Sequence, residues 1–400
     1  MDELCIRCKG KGFCGRTKCR ILEKIEAYSP KVKENFSGTS PPEIFVGRVN
    51  YPNVFCGILS PNEKIDSSRM SMPEVWVKEN MSIEEILINR ARMVYARSNS
   101  NVKKINSIQN TLQEISLSLK PVSVEFFLEK KPSISFSASK FFSIMANPAP
   151  LKKAILEENV SVPKKVDYLV SDIHVKATEA VKELYESNIE TSHIQKLFSA
   201  GLLGMKKDRR MVPTRWSITA VDDIIGRSLL KEIKDYPPIN EIIVFEEYYN
   251  GNQFEILFLP GYFEFEVMET SFGGSSWTTK TITVHDYESF FGRKEYAKNV
   301  VGAYYSDRLA CLEYLKRIKR QAKVVVFHEE REEYYAPLGV GIIRESLRRA
   351  FLKEPKKFVT LKEALEEIKK NLKLALEKYL SISRVIPSYG KQKDLTNFFN

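Results

Sequence analysis

Apolar and polar residues alternate along several short stretches of this chain and recur at helical spacing in others. The clearest case is the pair IIVFEEYY and NQFEILFL, which flank Asn250-Gly251. Asn-Gly between two strand-like runs favours a two-residue type I′ turn, so a β-hairpin is predicted here. FEFEVMET is predicted to be a third strand. Ser82 and Glu85 form the pattern of a capping box, which predicts a helix that continues to about Arg97.

The remaining periodic segments predict a mixture of helices and strands. Helices are predicted over 103–118, 191–204, 303–322, 342–353 and 361–380, and in CRILEKIEAY and TEAVKELYESN. Strands are predicted in SVEFFLEKK, SISFSASKFF, DYLVSDIHV, TKTITVHD and AKVVVFHE. Proline, glycine and serine predict a linker in SGTSPPEIFVG (37–47), turns in VNYPNVFCGILSPNEK and a flexible joint in SFGGSS (271–276). Because strands and helices do not alternate strictly, the predicted fold class is α+β: a mixed α/β core with antiparallel hairpin strands and C-terminal helices.

The 400 residues of the chain exceed the roughly 250–300 at which a single core stops growing, so several folding units are expected. The predicted divisions are a four-cysteine knuckle (1–30), an N-terminal core domain (40–270), a C-terminal α/β domain (277–385) and a flexible tail (386–400). The formal charge of +11 favours polyanionic partners. No apolar run is long enough to span a bilayer, and MDELCIRCKG has no apolar signal region. A cytoplasmic, nucleoid-associated protein without membrane contact is expected.

Four of the six cysteines lie close together at the N-terminus, at Cys5, Cys8, Cys14 and Cys19. Four thiolates on so short a segment can converge on one tetrahedral centre, and the glycines between them allow the tight turns that such a site needs. Structural zinc is predicted. An iron–sulfur cluster and disulfides are the alternatives. The knuckle either touches nucleic acid or a partner, or only stabilises a terminus too small to fold alone.

The chain ends on KQKDLTNFFN, in which apolar side chains stand in a polar tail. One helical turn brings Leu395, Phe398 and Phe399 together as a single apolar plug, with Gln392 one turn earlier. This pattern resembles the sliding-clamp (PCNA) interacting peptide, or PIP box, at every specified position. Clamp binding through these four residues is therefore predicted; the alternative is a tail that folds back on its own domain.

The stretch VPTRWSITAVDD suggests a ligand site in the core. An arginine fork can bind phosphate, a tryptophan can stack on a base, and two adjacent aspartates can hold Mg²⁺ or act as a base. The candidate phosphate- or nucleotide-binding residues are Arg48, Arg215, Trp216, Ser217, Thr219 and Arg293, and the candidate catalytic residues are Asp222 and Asp223. The alternatives are an internal Arg–Asp salt bridge, a tryptophan that anchors the core, and the start of an ordinary helix.

Basic residues that can contact DNA form two further groups. They are Lys206, Lys207, Arg209 and Arg210 in one stretch, and Lys316, Lys319, Arg320 and Lys323 in the other, where helical spacing places all four on one face. A solvated helix face is the simpler explanation for either group alone. Together with the net charge, they favour direct contact with DNA or a nucleotide.

Several longer segments resemble the archaeal Nre DNA-repair proteins over nearly the whole chain. These segments are PPEIFVGRVNYP, VPTRWSITAVDD, LPGYFEFE, GAYYSDRLACLEYL and YYAPLGVGIIRES, together with the cysteine quartet and QKDLTNFF. The resemblance implies a role in DNA damage repair and recruitment by the replication clamp through the PIP box. It assigns no catalytic residues, so whether the protein is an enzyme stays open. The alternative to a DNA-repair adaptor is a metal-dependent nuclease or nucleotide-processing enzyme that uses Arg215, Asp222 and Asp223.

Overall fold

The computed structural model describes residues 7–8, 10–15, 17–32, 34–104 and 106–390. They divide into two compact units. The N-terminal unit contains the described residues up to Ile225 together with Ala336–Ile342. The C-terminal unit contains Gly226–Tyr335 and the described residues from Ile343 onward. None of the helices in these ranges is long and apolar enough to cross a membrane.

Each unit is built around a six-stranded sheet that contains both antiparallel and parallel neighbours. The strands of the N-terminal unit are β1 (Asn35–Ser40), β2 (Glu43–Val46), β3 (Asn53–Pro61), β4 (Met93–Asn101), β5 (Val122–Leu128), β6 (Phe136–Ser137), β7 (Met145–Ala146) and β8 (Pro148–Leu156). The large sheet has the order β1-β5-β8-β4-β3-β2, and β6 pairs with β7 separately. Its one parallel pair is β4 with β8. The expected α+β class is confirmed.

Helices surround this sheet. They are α1 (Arg20–Tyr28), α2 (Pro73–Lys78), α3 (Ile83–Ala91), α4 (Ser107–Leu117), α5 (Lys164–Ser171), α6 (Ala177–Glu186), α7 (Thr191–Ser199) and α8 (Thr214–Ile233), with short 3₁₀ turns at Ser68–Met70 and Lys206–Asp208. The capping box predicted at Ser82 is present, with Glu85 bonded in both directions. The helix ends at Ala91 rather than Arg97, because the chain enters β4 at Met93.

The C-terminal unit has the sheet order β12-β11-β13-β10-β9-β14. Its strands are β9 (Ile242–Tyr249), β10 (Asn252–Leu259), β11 (Glu264–Ser271), β12 (Ile282–Glu288), β13 (Lys323–Glu330) and β14 (Lys356–Phe358). Its helices are α9 (Gly302–Ile318), α10 (Val340–Ala350), α11 (Leu361–Asn371), α12 (Leu376–Leu380) and α13 (Val385–Ser388), and the division between the units falls within α8 and α10. The predicted hairpin is confirmed, since Asn250 and Gly251 both have positive φ between β9 and β10.

The last three helices pack on the C-terminal sheet over an apolar core that includes Leu257, Phe327 and Tyr379. Two buried carboxylates hold the loops before these helices. Glu329 accepts hydrogen bonds from the backbone N–H of Lys373 (2.9 Å) and Leu374 (2.8 Å). Glu266 accepts from the N–H of Arg384 (2.7 Å) and Val385 (2.9 Å). The backbone N–H groups at or just before the start of the last two helices are thus hydrogen-bonded inside the protein, as buried N–H groups must be.

Three local predictions are wrong. The expected linker at 37–47 forms β1 and β2, because Phe36, Ile44 and Val46 alternate into the core and the two prolines fall between the strands. The expected strand in DYLVSDIHV is α5, whose Val166 and Leu169 are buried at helical spacing. The expected flexible joint at 271–276 is a buried loop, in which the Ser276 hydroxyl donates to the Tyr334 carbonyl (2.7 Å).

Candidate nucleic-acid interface

The N-terminus of α8 lies against the loop that connects β2 to β3. The backbone N–H of Val46, the last residue of β2, donates to the Thr214 hydroxyl (2.9 Å), although the two residues are 168 positions apart. Trp216 then reaches the loop, where its ring centroid lies 5.2 Å from that of Tyr51. Tyr51 and Trp216 both keep more than two fifths of their surface exposed. The contact therefore places two aromatic side chains side by side at the protein surface.

A third exposed aromatic side chain continues this surface on the sheet. Phe55 lies on β3, and the guanidinium of Arg97 on β4 lies 4.5 Å above its ring. The Phe55 carbonyl accepts from the N–H of Gly47 (2.7 Å), which fixes the loop to the strand. Stacking of an arginine on an aromatic ring leaves the guanidinium donors free to point outward.

Exposed cations border the aromatic residues. Val102, which follows β4, donates to the Pro52 carbonyl (3.0 Å) and accepts from the N–H of Met211 (3.0 Å), so the β2–β3 loop, the end of β4 and the segment before α8 are bonded together. We refer to the exposed and half-buried side chains of these segments as the aromatic–basic surface: Arg48, Tyr51, Phe55, Arg97, Lys103, Lys104, Arg210 and Trp216.

This combination is suited to nucleic acid. Aromatic faces stack on bases without regard to sequence, and arginine and lysine side chains contact phosphates. An exposed cluster of aromatic rings would be unfavourable in water if it had no partner. The surface is therefore chemically matched to unstacked bases, as in single-stranded or distorted DNA.

Several predicted residues have structural roles beneath this surface. Arg215 lies over the Phe141 ring, 4.1 Å from its centroid. The buried Ser217 hydroxyl donates to the Gln195 carbonyl, and the Thr219 hydroxyl donates to the Arg215 carbonyl at 3.4 Å. Of the predicted phosphate- or nucleotide-binding residues in the N-terminal unit, Arg48 and Trp216 are exposed and Arg215 is half-buried.

Asp222 and Asp223 do not converge on one point. Adjacent helical residues point about 100° apart. Asp222 is buried and accepts from the Gln195 side-chain amide (2.9 Å), while Asp223 is only half-buried. Among the described residues, no group of three histidine, cysteine, aspartate or glutamate side chains is placed to hold a metal ion. The described residues place no third acidic or histidine side chain beside this pair, and its role in binding Mg²⁺ stays a prediction.

The remaining basic candidates are divided between structural and exposed positions. Arg293 lies in the C-terminal unit, where it pairs with Asp286 (3.0 Å). Arg209 donates to three backbone carbonyls, whereas Lys206, Lys207 and Arg210 are exposed. The expected single face of Lys316, Lys319, Arg320 and Lys323 is wrong, because α9 ends at Ile318, Lys319 adopts a left-handed conformation and Lys323 begins β13. Lys316 and Lys323 pair with Glu232 and Glu264.

Two predicted sites lie wholly or partly outside the described residues. The tail residues Gln392, Leu395, Phe398 and Phe399 lie outside them, as does Cys5. Cys8, Cys14 and Cys19 are described; they form no disulfide, and among the described residues they are not gathered into a group of three placed to hold a metal ion. Burial alone would raise the pKa of the Cys8 thiol. Hydrogen bonds from the backbone N–H groups of residues 10, 12, 13 and 14 lower it by more, so the net pKa lies below its ordinary value. A thiol held in this way is suited to bind metal as a thiolate.

Sequence reasoning missed Tyr51, Phe55 and Arg97. The signal for the first two was present, since VNYPNVF places aromatic residues just after Arg48 in a turn-rich stretch. Arg97 had no such signal, because the sequence predicted a helix where β4 lies.

Comparison with known proteins identifies the family to which the chain belongs. The family model described as "Archaeal Nre, N-terminal" matches residues 13–278, and "Archaeal Nre, C-terminal" matches residues 288–398. The chain belongs to the archaeal Nre family. The resemblance found in the sequence is thereby confirmed.

Named relatives of this family match over most of their length. The chain is 35% identical to "DNA repair protein NreB" of Archaeoglobus fulgidus, covering 98% of this chain and 99% of that protein. It is 36% identical to "DNA repair protein NreA" of the same organism, over 90% and 92%. It is 33% identical to "DNA repair protein NreA" of Haloferax volcanii, over 94% and 93%. No solved structure matches the chain.

Proposed function

We propose that this Nre-family protein acts in DNA repair and contacts single-stranded or distorted DNA through the aromatic–basic surface. Three relatives that align over nearly the whole chain are named DNA repair proteins. The observation that carries the proposal is the exposed Tyr51–Trp216 pair, with the exposed Arg48 in the same loop as Tyr51. Rings that stack on bases and cations that meet phosphates are the two parts of a binding surface for unpaired nucleic acid.

Tryptophan fluorescence offers a direct test of this surface. Trp216 is 46% exposed, whereas Trp76 and Trp277, the other two of the chain's three tryptophans, are each 1% exposed. Quenching of tryptophan emission by an added oligonucleotide thus reports on Trp216. We expect a single-stranded oligonucleotide to quench this emission, and the quenching to disappear in Trp216→Phe while anisotropy still shows binding.

Removal of both rings is expected to weaken DNA binding strongly. Stacking on an aromatic ring is worth about 1–3 kcal/mol per base, so Tyr51→Ala with Trp216→Ala should raise the Kd for a single-stranded oligonucleotide by about tenfold or more. Fluorescence anisotropy measures the Kd. The control is Tyr168→Ala, which removes a still more exposed tyrosine from the same unit. Equal Kd values for the double variant and the control would contradict the proposal.

We also propose that the C-terminal tail recruits the protein to the sliding clamp. The support is the sequence pattern of Gln392, Leu395, Phe398 and Phe399. Phe398→Ala with Phe399→Ala is expected to abolish co-elution with the clamp on size exclusion and to leave the melting temperature nearly unchanged. A large loss of melting temperature would mean instead that the two rings pack on the protein's own core.

The cysteine quartet is proposed to hold a structural zinc ion. The fit rests on the donor set, on the positive φ of Gly10, Gly12 and Gly15, and on the N–H groups directed at Cys8. Four thiolates would close the coordination shell, so the ion would stabilise the fold of this segment and leave no position open for a substrate. Native mass spectrometry is expected to show one bound zinc that is lost in Cys8→Ser.

A further inference from the structure

A polar cluster with no assigned function lies where β2, α2, α3 and α7 meet in the N-terminal unit. Arg90 on α3 is 1% exposed and forms an ion pair with Glu43 at the start of β2. Glu74 on α2 accepts from the N–H of Ser192 on α7 (3.3 Å). Ser192 and His193 share a helix face with Lys196, because they precede it by four and three residues. Lys196 lies on the same helix as Ser192 and His193, and the charges of Glu43, Glu74 and Arg90 act on its amine.

The Lys196 amine differs from the other charged groups of this cluster in its pairing. Among the described residues it forms neither a hydrogen bond nor an ion pair, although the residue remains partly exposed to solvent. Burial lowers the pKa of Lys196, and the charge of Arg90 lowers it further, against the opposing effect of Glu43 and Glu74. Burial together with the charge of Lys196 also lowers the pKa of His193 to about 3, which keeps the imidazole neutral.

Three described residues of the cluster carry buried polar atoms without a hydrogen-bond partner. Within the described residues, Arg90 Nη2, Ser192 Oγ and His193 Nε2 are buried and have no hydrogen-bond partner. Unpaired buried polar atoms are costly, so three of them on residues of one cluster favour a site that a polar ligand completes. A lysine amine whose charged form is disfavoured by its surroundings can act as a nucleophile.

We propose that Lys196 is a nucleophilic amine that forms an imine with the aldehyde of an abasic deoxyribose in DNA. The inference rests on the proposed DNA-binding function for its substrate class. The Lys196 nitrogen attacks the C1′ carbonyl carbon. The two amine hydrogens and the aldehyde oxygen then leave as one water molecule, with Glu43 or Glu74 relaying the protons. No oxidant or reductant is required.

The charges of the cluster favour an aldehyde over a bound anion. Glu43 and Glu74 balance the charges of Arg90 and a protonated Lys196, and Arg90 already pairs with Glu43, so the cluster has no excess positive charge to hold a phosphate. An uncharged carbonyl needs no such excess, and Arg90 Nη2, Ser192 Oγ and His193 Nε2 are available to bond sugar hydroxyls or the aldehyde oxygen.

The same elements connect this cluster to the aromatic–basic surface. β2 begins at Glu43 and ends at Val46, which is bonded to Thr214 at the start of α8. The other end of α7 carries Ser199, whose hydroxyl donates to the Val212 carbonyl (2.8 Å) just before α8. The proposed site and the aromatic–basic surface are therefore carried by neighbouring elements of one unit, which is the arrangement that a strand held at the surface and a nucleotide turned out of it would require.

Borohydride trapping tests the proposal. The full-length protein is incubated with an oligonucleotide containing one abasic site, the imine is reduced to a stable secondary amine, and the covalent complex is mapped by peptide mass spectrometry. The adduct is expected on Lys196. Lys196→Met is expected to reduce trapping by about tenfold or more, whereas Lys176→Met, at an exposed lysine of the same unit, is expected to change it little.

Two further measurements separate this proposal from its alternatives. Lys196→Met should keep or raise the melting temperature, because it replaces a half-buried amine without an ion partner by an apolar chain of similar length. A marked loss of melting temperature would show that the amine is a structural group. Trapping that is absent, or spread over surface lysines and unchanged in Lys196→Met, would overturn the proposal.

A second substrate separates failure of the amine from failure of the DNA surface. Free 2-deoxyribose carries the same aldehyde in its open-chain form, has no phosphate and needs no DNA-binding surface. If this sugar labels Lys196 while Tyr51→Ala with Trp216→Ala leaves trapping of abasic DNA unchanged, Lys196 is reactive and the proposed DNA surface is wrong. If neither substrate labels Lys196, the reactive amine is wrong and the DNA surface is judged by its own binding test.

Discussion

Arg90→Ala is expected to lower the free energy of unfolding by about 3–5 kcal/mol, because removing one partner of a buried ion pair leaves the other charge uncompensated. Arg90 is almost fully buried and pairs with Glu43. It also donates from Nε to the Ile144 carbonyl (2.7 Å) and from Nη1 to the Met70 carbonyl (3.3 Å). The substitution would leave one carboxylate and two carbonyls without these donors. Urea denaturation measures the loss.

Arg92→Ala provides a matched control on the same part of the chain. Arg92 pairs with Glu63 at 3.3 Å, but their side chains are 37% and 53% exposed. An exposed pair of this kind contributes about 0–1 kcal/mol, so little change is expected. A double variant, Arg90→Ala with Glu43→Gln, should be less destabilised than the sum of its single variants, since each removes the same pair. Equal losses for Arg90→Ala and Arg92→Ala would contradict the role assigned to burial.

Glu266→Gln is expected to destabilise the C-terminal unit by about 2–4 kcal/mol at neutral pH, because hydrogen bonds to a charged group each contribute roughly 1.5–3 kcal/mol. The Glu266 carboxylate is fully buried and receives the backbone N–H groups of Arg384 and Val385. Burial alone would raise the pKa of Glu266, but the nearby His285 and Ser383 side chains and these two backbone bonds lower it by more, so the net pKa lies below the ordinary 4.5.

The sign of the pH dependence follows from this lowered pKa. The folded state binds the proton less tightly than the unfolded state does, so the stabilising contribution is complete above the ordinary value of 4.5 and is lost as the pH falls through the folded pKa. The difference between the native protein and Glu266→Gln in urea denaturation should therefore shrink in acid. Glu241→Gln, which alters an exposed pair with Lys357, is the control and should show a small, nearly pH-independent effect. A Glu266→Gln difference that does not change with pH would contradict the anchoring role.

The sequence correctly predicted those turns and helix starts that depend on residues close together in the chain. The Asn250-Gly251 hairpin and the capping box at Ser82 are as expected, because their signals lie within a few residues of each other. The predictions failed where pairing with distant chain overrides composition. SGTSPPEIFVG contains two prolines and reads as a linker, yet β1 pairs with β5 and β2 pairs with β3, which commits both halves to the sheet.

The aromatic–basic surface could likewise be predicted only in part, because it depends on contacts between residues far apart in the chain. Arg48 and Trp216 were identified by residue type, but only the fold shows that Val46 and Thr214 are bonded across the chain and that Tyr51 lies beside Trp216. The Lys196 cluster had no sequence signal, since its members come from four separate elements. A lysine in an amphipathic helix reads as a solvated residue until its neighbours are known.

The carboxylate of Glu266 also bears on how mechanical load would pass through the molecule. α13 ends at Ser388, and the chain end beyond Gly390 carries the proposed clamp-binding residues. Any tension on that end, as when a tethered protein and a moving clamp pull apart, reaches the sheet through α13 and thus through the two N–H bonds to Glu266 on β11. If the tail binds a clamp as proposed, such tension would first work against these two bonds and the packing of Val385 and Ile386, so α13 would peel from the sheet before the covalent chain transmits the load to the rest of the unit.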